Sequence, residues 1–152
     1  MGTKTTLYDQ DFYAWTQEQA ALLRLGAVHD LDLTNLAEEI ESLGKSDRRA
    51  LGSHLRNLVL HLLKWQYQPS GRLTGQSWRS SIRNARAEIT VLLEDSPSLQ
   101  QEVVGLLTRW YPLARLDAAD ETRLPLTTFP TACPWTPFQV LDPDFWPDAP
   151  HE

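Results

Sequence analysis

The chain holds one cysteine, Cys133, so no internal disulfide can form and a reducing, cytoplasmic setting is expected. A reactive thiol needs a base and an electropositive setting. Cys133 instead sits in the sequence ACPW, where burial as a small hydrophobe is the simpler expectation. No window approaches the run of about 20 apolar residues that a membrane span requires, so no membrane partner is expected. The opening MGTKTTLYDQDFYAW has one lysine and no long apolar run, and does not read as a secretory signal. Glycine-rich phosphate loops, a Ser/His/Asp signature and Cys/His zinc spacing are all missing. Catalytic residues therefore stay unassigned, and neither a cofactor nor a metal is expected. No repeat with a period of about 20 to 50 residues occurs, which excludes a solenoid.

What is present fits one ordinary domain of 152 residues. Its 41% hydrophobic content is enough for a core and too much for a disordered chain. The net charge of −6 is unevenly spread. Between Lys45 and Arg86 lie nine basic residues and one acid, Asp47, a local charge of +8. The remainder carries −14.

Periodicity predicts an all-α fold of about five helices. The first spans about Asp9 to Leu25, capped by Asp9 or Asp11 and closed by Gly26. Its broad aromatic stripe, with Phe12 and Tyr13, predicts a well-buried helix. The second runs from Leu33 to Leu43, with Asp32 as N-cap, Gly44 as stop and a stripe of Leu33, Leu36, Ile40 and Leu43. Ser46 is expected to cap a third, which reaches about Gln66 on a stripe of Leu51, Leu55, Leu58, Leu62 and Trp65. Pro69 to Gly75 reads as a loop. A fourth, from Gln76 to about Glu94, buries Trp78, Ile82, Ala85, Ile89 and Leu92. A fifth, from Pro97 to about Ala119, should kink or split at Pro112. Seven of the ten prolines lie between Pro125 and Pro150, among five aromatic residues. Residues 124–152 are therefore expected to form an extended strap packed on a bundle, with Trp135, Phe138 and Trp146 docked. Thr136-Pro137 should start one helical turn, and residues 1–7 should be a flexible start. The whole is read as a single domain over residues 1–152.

Four sets of residues suggest chemistry. Arg79, Arg83 and Arg86 share one helix face, and Arg72 precedes them. They suit phosphate or nucleic acid, but pairing with acids of the same chain is the simpler expectation. His54 and His61 lie seven residues apart, about 10 Å along a helix, too far to share a small metal ion without a ligand between them. Glu39 with His54, His61 and Lys64 would be needed for a hydrolytic site. Glu38, Glu39 and Glu41 read as a solvated face. The tryptophans could stack on bases, yet Trp65 and Trp78 lie in apolar stripes and fit core packing. The candidate binding residues are therefore Arg72, Arg79, Arg83 and Arg86 with Lys64, Trp65, Trp78 and His61.

The ordered blocks YDQDFYAW, NLAEEIESLG, HLLKWQYQP, SWRSSI, LLEDSPSL, ADET, FPTACPW and LDPDFWP resemble the domain-of-unknown-function 29 family, from Tyr8 to Pro147. That resemblance implies a bacterial, cytoplasmic, all-helical single domain and carries no catalytic residues over. The leading expectation is a non-enzymatic protein-binding or adaptor domain with an unidentified protein partner. The alternatives are a nucleic-acid or phosphate binder using the basic stretch at 45–86, and a helical-bundle hydrolase.

Overall fold

A computed structural model describes residues 6–72 and 76–148, with the backbone alone for Arg72 and Gln76. Among them are six α-helices, joined by short 3₁₀ turns, and no strand. The helices are α1 (Leu7–Gln10), α2 (Phe12–Leu25), α3 (Leu33–Tyr67), α4 (Gln76–Asp95), α5 (Val103–Thr122) and α6 (Pro137–Leu141). The fold is all-α, as the periodicity predicts. It divides into two compact units, Met1–Ser46 and Asp47–Glu152.

In the first unit the expected single helix is two. Thr6 caps α1, and Asp11 then breaks the run and caps α2, its carboxylate accepting from the Ala14 N–H at 3.0 Å. The flexible start expected for residues 1–7 lies outside the described residues as far as residue 5. Gly26 closes α2 at φ 71°, the left-handed geometry that glycine adopts without strain. The expectation of a well-buried aromatic helix fails, because Phe12 and Tyr13 are exposed and only Trp15 and Gln19 are buried. Counting aromatics missed that polar bonds anchor the helix. Trp15 Nε1 donates to Asp32 at 3.1 Å, and the Gln19 side chain accepts from the Asp32 N–H at 2.8 Å. Asp32 also caps α3 through Asn35, whose side-chain bond to it is the main cause holding its carboxyl below the usual range.

The predicted stop at Gly44 and restart at Ser46 are absent. α3 runs unbroken from Leu33 to Tyr67. Gly44 lies in its interior with a negative φ, since Gly26 is the one glycine of positive φ among the described residues. Good helix formers flank Gly44 on both sides, so a cost of about 1 kcal/mol for one glycine does not end the helix.

The second unit is built on the predicted stripes. Leu51, Leu55, Leu58, Leu62 and Trp65 of α3 are buried, as are Ile82, Ala85 and Ile89 of α4. α5 adds Val103, Leu106, Tyr111, Ala114 and Ala118 to the same core. The expected fifth helix begins as a 3₁₀ stretch, Pro97–Glu102, and α5 then continues through Pro112 to Thr122. Pro112 and Thr108 are both exposed, so the carbonyl that proline leaves unbonded faces water rather than the core. Gly52 lets α3 approach Trp110 so closely that a Cβ there would stand 2.6 Å from Nε1.

Beyond Arg123, Phe129, Trp135 and Val140 are buried in this core. Tyr111 donates its hydroxyl to the Pro130 carbonyl at 2.5 Å, and Arg115 donates to the Phe129 and Leu126 carbonyls at 3.0 and 3.1 Å. The turn expected at Thr136-Pro137 is α6, opened by a capping box between Thr136 and Gln139. Phe138, expected to dock, is 78% exposed, because α6 turns Val140 inward instead.

Candidate functional site

A concavity in the second unit has a volume of about 840 Å³, within the range of ligand sites. Three segments line it. α3 supplies Trp65 near its C-terminal end. α4 supplies Arg79, Arg83, Arg86 and Thr90 at spacings of four, three and four, which place them on one helix face, with Ala87 and Val91 beside them. The segment after α6 supplies Leu141, Pro143 and Trp146.

The arginines do not behave as expected. None of Arg79, Arg83 and Arg86 forms an ion pair among the described residues. The guanidinium of Arg79 lies 5.6 Å from both the Trp65 and Trp146 rings, whose centroids are 4.8 Å apart. Arg86 is 4% exposed. Its Nε donates to the Val140 carbonyl at 2.9 Å and its Nη2 to the Gln139 carbonyl at 3.4 Å, while the buried Nη1 has no partner among the described residues. Burial pulls its pKa down, opposed by the charge of Asp142. Arg83 is exposed at the mouth. Internal pairing falls on other cations. Arg48 meets Glu102 at 3.0 Å, Arg56 meets Asp117 at 2.7 Å and Lys64 meets Glu121 at 3.1 Å. Equal spacing of charges along a helix did not reveal which face would meet α5.

Four of the eight candidates, Trp65, Arg79, Arg83 and Arg86, thus come together. Lys64 and Trp78 form a separate pair, the ammonium 5.2 Å from the ring centre, with Trp78 against Gly71 so closely that a Cβ there would stand 2.1 Å from it. His61 stands apart, its Nδ1 2.8 Å from the Asn57 carbonyl and its pKa lowered by burial. The side chain of Arg72 lies outside the described residues. The groups a hydrolytic site would need are held by different partners. Glu39 accepts a short hydrogen bond from the Tyr8 hydroxyl, which pushes that phenol up to about 12, and Lys64 is on Glu121. Among the described residues no three His, Cys, Asp or Glu side chains gather as a metal site would require. Cys133 lines a smaller concavity with Tyr111 and Trp135, where burial pushes its thiol up and leaves it a poor nucleophile. Leu141, Pro143 and Trp146 were not among the candidates. The signal for them was the aromatic content of the proline-rich segment.

Fold and groove define an all-helical protein with an arginine- and tryptophan-lined cleft. The chain belongs to the family described as Domain of unknown function DUF29, whose model matches residues 7–146. Neither the curated proteins nor the solved structures contain a match. No helix among the described residues is long and apolar enough to cross a membrane.

Proposed function

We propose that this protein is a bacterial, cytoplasmic binding module that seats a segment of a partner protein in the Trp65–Arg79–Trp146 groove without chemically altering it. The observation that carries this reading is the composition of the groove. Its walls are mostly apolar, and its charged groups are guanidiniums, which stay protonated and neither attack nor take up protons. The one hydroxyl lining it among the described residues, Thr90, is spent on the Arg86 carbonyl at 2.8 Å. Such a set grips and orients; it does not transfer protons. The blocks HLLKWQYQP, SWRSSI and LDPDFWP, distant in sequence, each contribute to the walls through Trp65, Arg79 and Trp146. The nucleic-acid alternative is disfavoured because Arg48, Arg56 and Lys64 are already paired with acids.

The test is to pan a random peptide display library against the protein and against Ala87→Trp. Ala87 is exposed on α4 at the groove, so the larger side chain fills the cleft without entering the core. Clones that bind the first and not the second, with both proteins melting alike, are the expected result. A library that yields no such clones defeats the reading.

A further inference from the structure

The groove holds a buried cation with an unused donor. Arg86 spends Nε and Nη2 on the two α6 carbonyls, and Nη1 is left without a partner among the described residues although it is buried. An unsatisfied buried donor on a charged group is costly, and native structures seldom keep one unless something fills it. Asp142 acts on Arg86 only through space, and one of its carboxylate oxygens accepts from the Asp144 N–H at 2.9 Å. One turn away Arg83 is exposed and has no partner among the described residues. Among the described residues Arg79 balances its charge on ring faces, those of Trp65 and Trp146. Three guanidiniums on one face thus lack a carboxylate among the described residues, in a chain of net charge −6 in which Arg48, Arg56 and Lys64 of α3 do pair with acids.

Resting on the binding reading above, we infer that the partner segment is an acidic peptide whose carboxylate sits between Arg86 Nη1 and Arg83 while an adjacent large apolar side chain lies against Val91, Leu141 and Trp146. The charge calls for an anion, and guanidinium forks match carboxylates. The apolar wall calls for a hydrophobic neighbour on the same ligand. A polynucleotide fits less well. It requires a track of cations along its backbone, and the acidic remainder of the chain repels it.

The sequences of the groove-dependent clones supply the first measurement. Enrichment of Asp or Glu next to Leu, Ile, Phe or Trp is expected. Groove-dependent clones without that acid, or rich in Lys and Arg, overturn this inference while leaving the binding reading intact; an absence of groove-dependent clones overturns both. The second measurement uses a synthetic peptide from the enriched set, its Glu-to-Gln isostere and the variant Arg83→Gln, which changes an exposed side chain. The Gln peptide should bind about tenfold more weakly or worse, Arg83→Gln should lose part of that, and both together should lose little more than the Gln peptide alone, because the contact with Arg83 is one of the two the carboxylate makes. Additive losses, or equal binding of the Gln peptide, overturn the inference. So does stronger binding of a phosphoserine version or of a single-stranded oligonucleotide competing for the groove.

Discussion

Gly44 and Gly52 lie on one helix, α3, and call for opposite side chains. A Cβ at Gly44 meets nothing within 4 Å, so Gly44→Ala should raise stability by about 1 kcal/mol, as in any exposed helix interior. A glycine acting as a left-handed stop would give the reverse sign, which makes urea titration of this variant a check on the unbroken helix. At Gly52 the new methyl would stand 2.6 Å from Trp110 Nε1. Trp110 has little freedom to retreat, with Arg56 and Arg109 each over its ring at 5.8 and 5.6 Å. Gly52→Ala should therefore destabilise by about 1–3 kcal/mol, the usual range for overpacking, despite alanine's better helix propensity. His61 gives a pH test. Burial, the first cause, lowers its pKa below the ordinary 6.5, so the folded state holds the neutral ring. That contribution is complete above the unfolded value and is lost as pH falls through 6.5 toward the folded value, because the unfolded chain takes up the proton first. The melting temperature should fall over that window, and His61→Gln should flatten the fall.

Among the elements, the segment after Arg123 is the most exposed to test. Phe129, Trp135 and Val140 are buried in the second unit's core, and full burial of such side chains contributes about 1.5–3 kcal/mol each before ordering costs. A chain ending at Arg123 should melt far lower or without cooperativity, and an unchanged melt would refute that packing. The 3.6-residue stripes of α4 and of α3 from Leu51 to Trp65 were legible in the sequence because Leu, Ile and Trp recur at helical spacing there, whereas the stripe expected over Leu33, Leu36, Ile40 and Leu43 leaves Leu33, Ile40 and Leu43 exposed. The split at Asp11 and the exposure of Phe12 and Tyr13 were not. α2 is held by the bonds of Trp15 and Gln19 to Asp32, and such distant pairings leave no periodic trace. Gly44 misled for a related reason: glycine marks a helix end only when its φ turns positive, as at Gly26.

For the whole molecule, circular dichroism should show helix with no strand component, and affinity for duplex DNA should be negligible at physiological salt, since much of the basic stretch is engaged internally. Half of the candidate site could be read directly from the sequence, because Arg79, Arg83 and Arg86 share a helix face whatever surrounds them. Its other wall could not, since nothing in the local pattern of LDPDFWP announces that Trp146 comes to rest on Trp65. That long span between walls bears on biosynthesis. Synthesis is vectorial, so α3 and α4 leave the ribosome well before Val140 and Trp146 do. During that interval the Arg86 guanidinium lacks the carbonyls of Gln139 and Val140, and the cleft has only one side. A nascent chain therefore completes this cleft late and abruptly, only after the long helices that form its first side have been made.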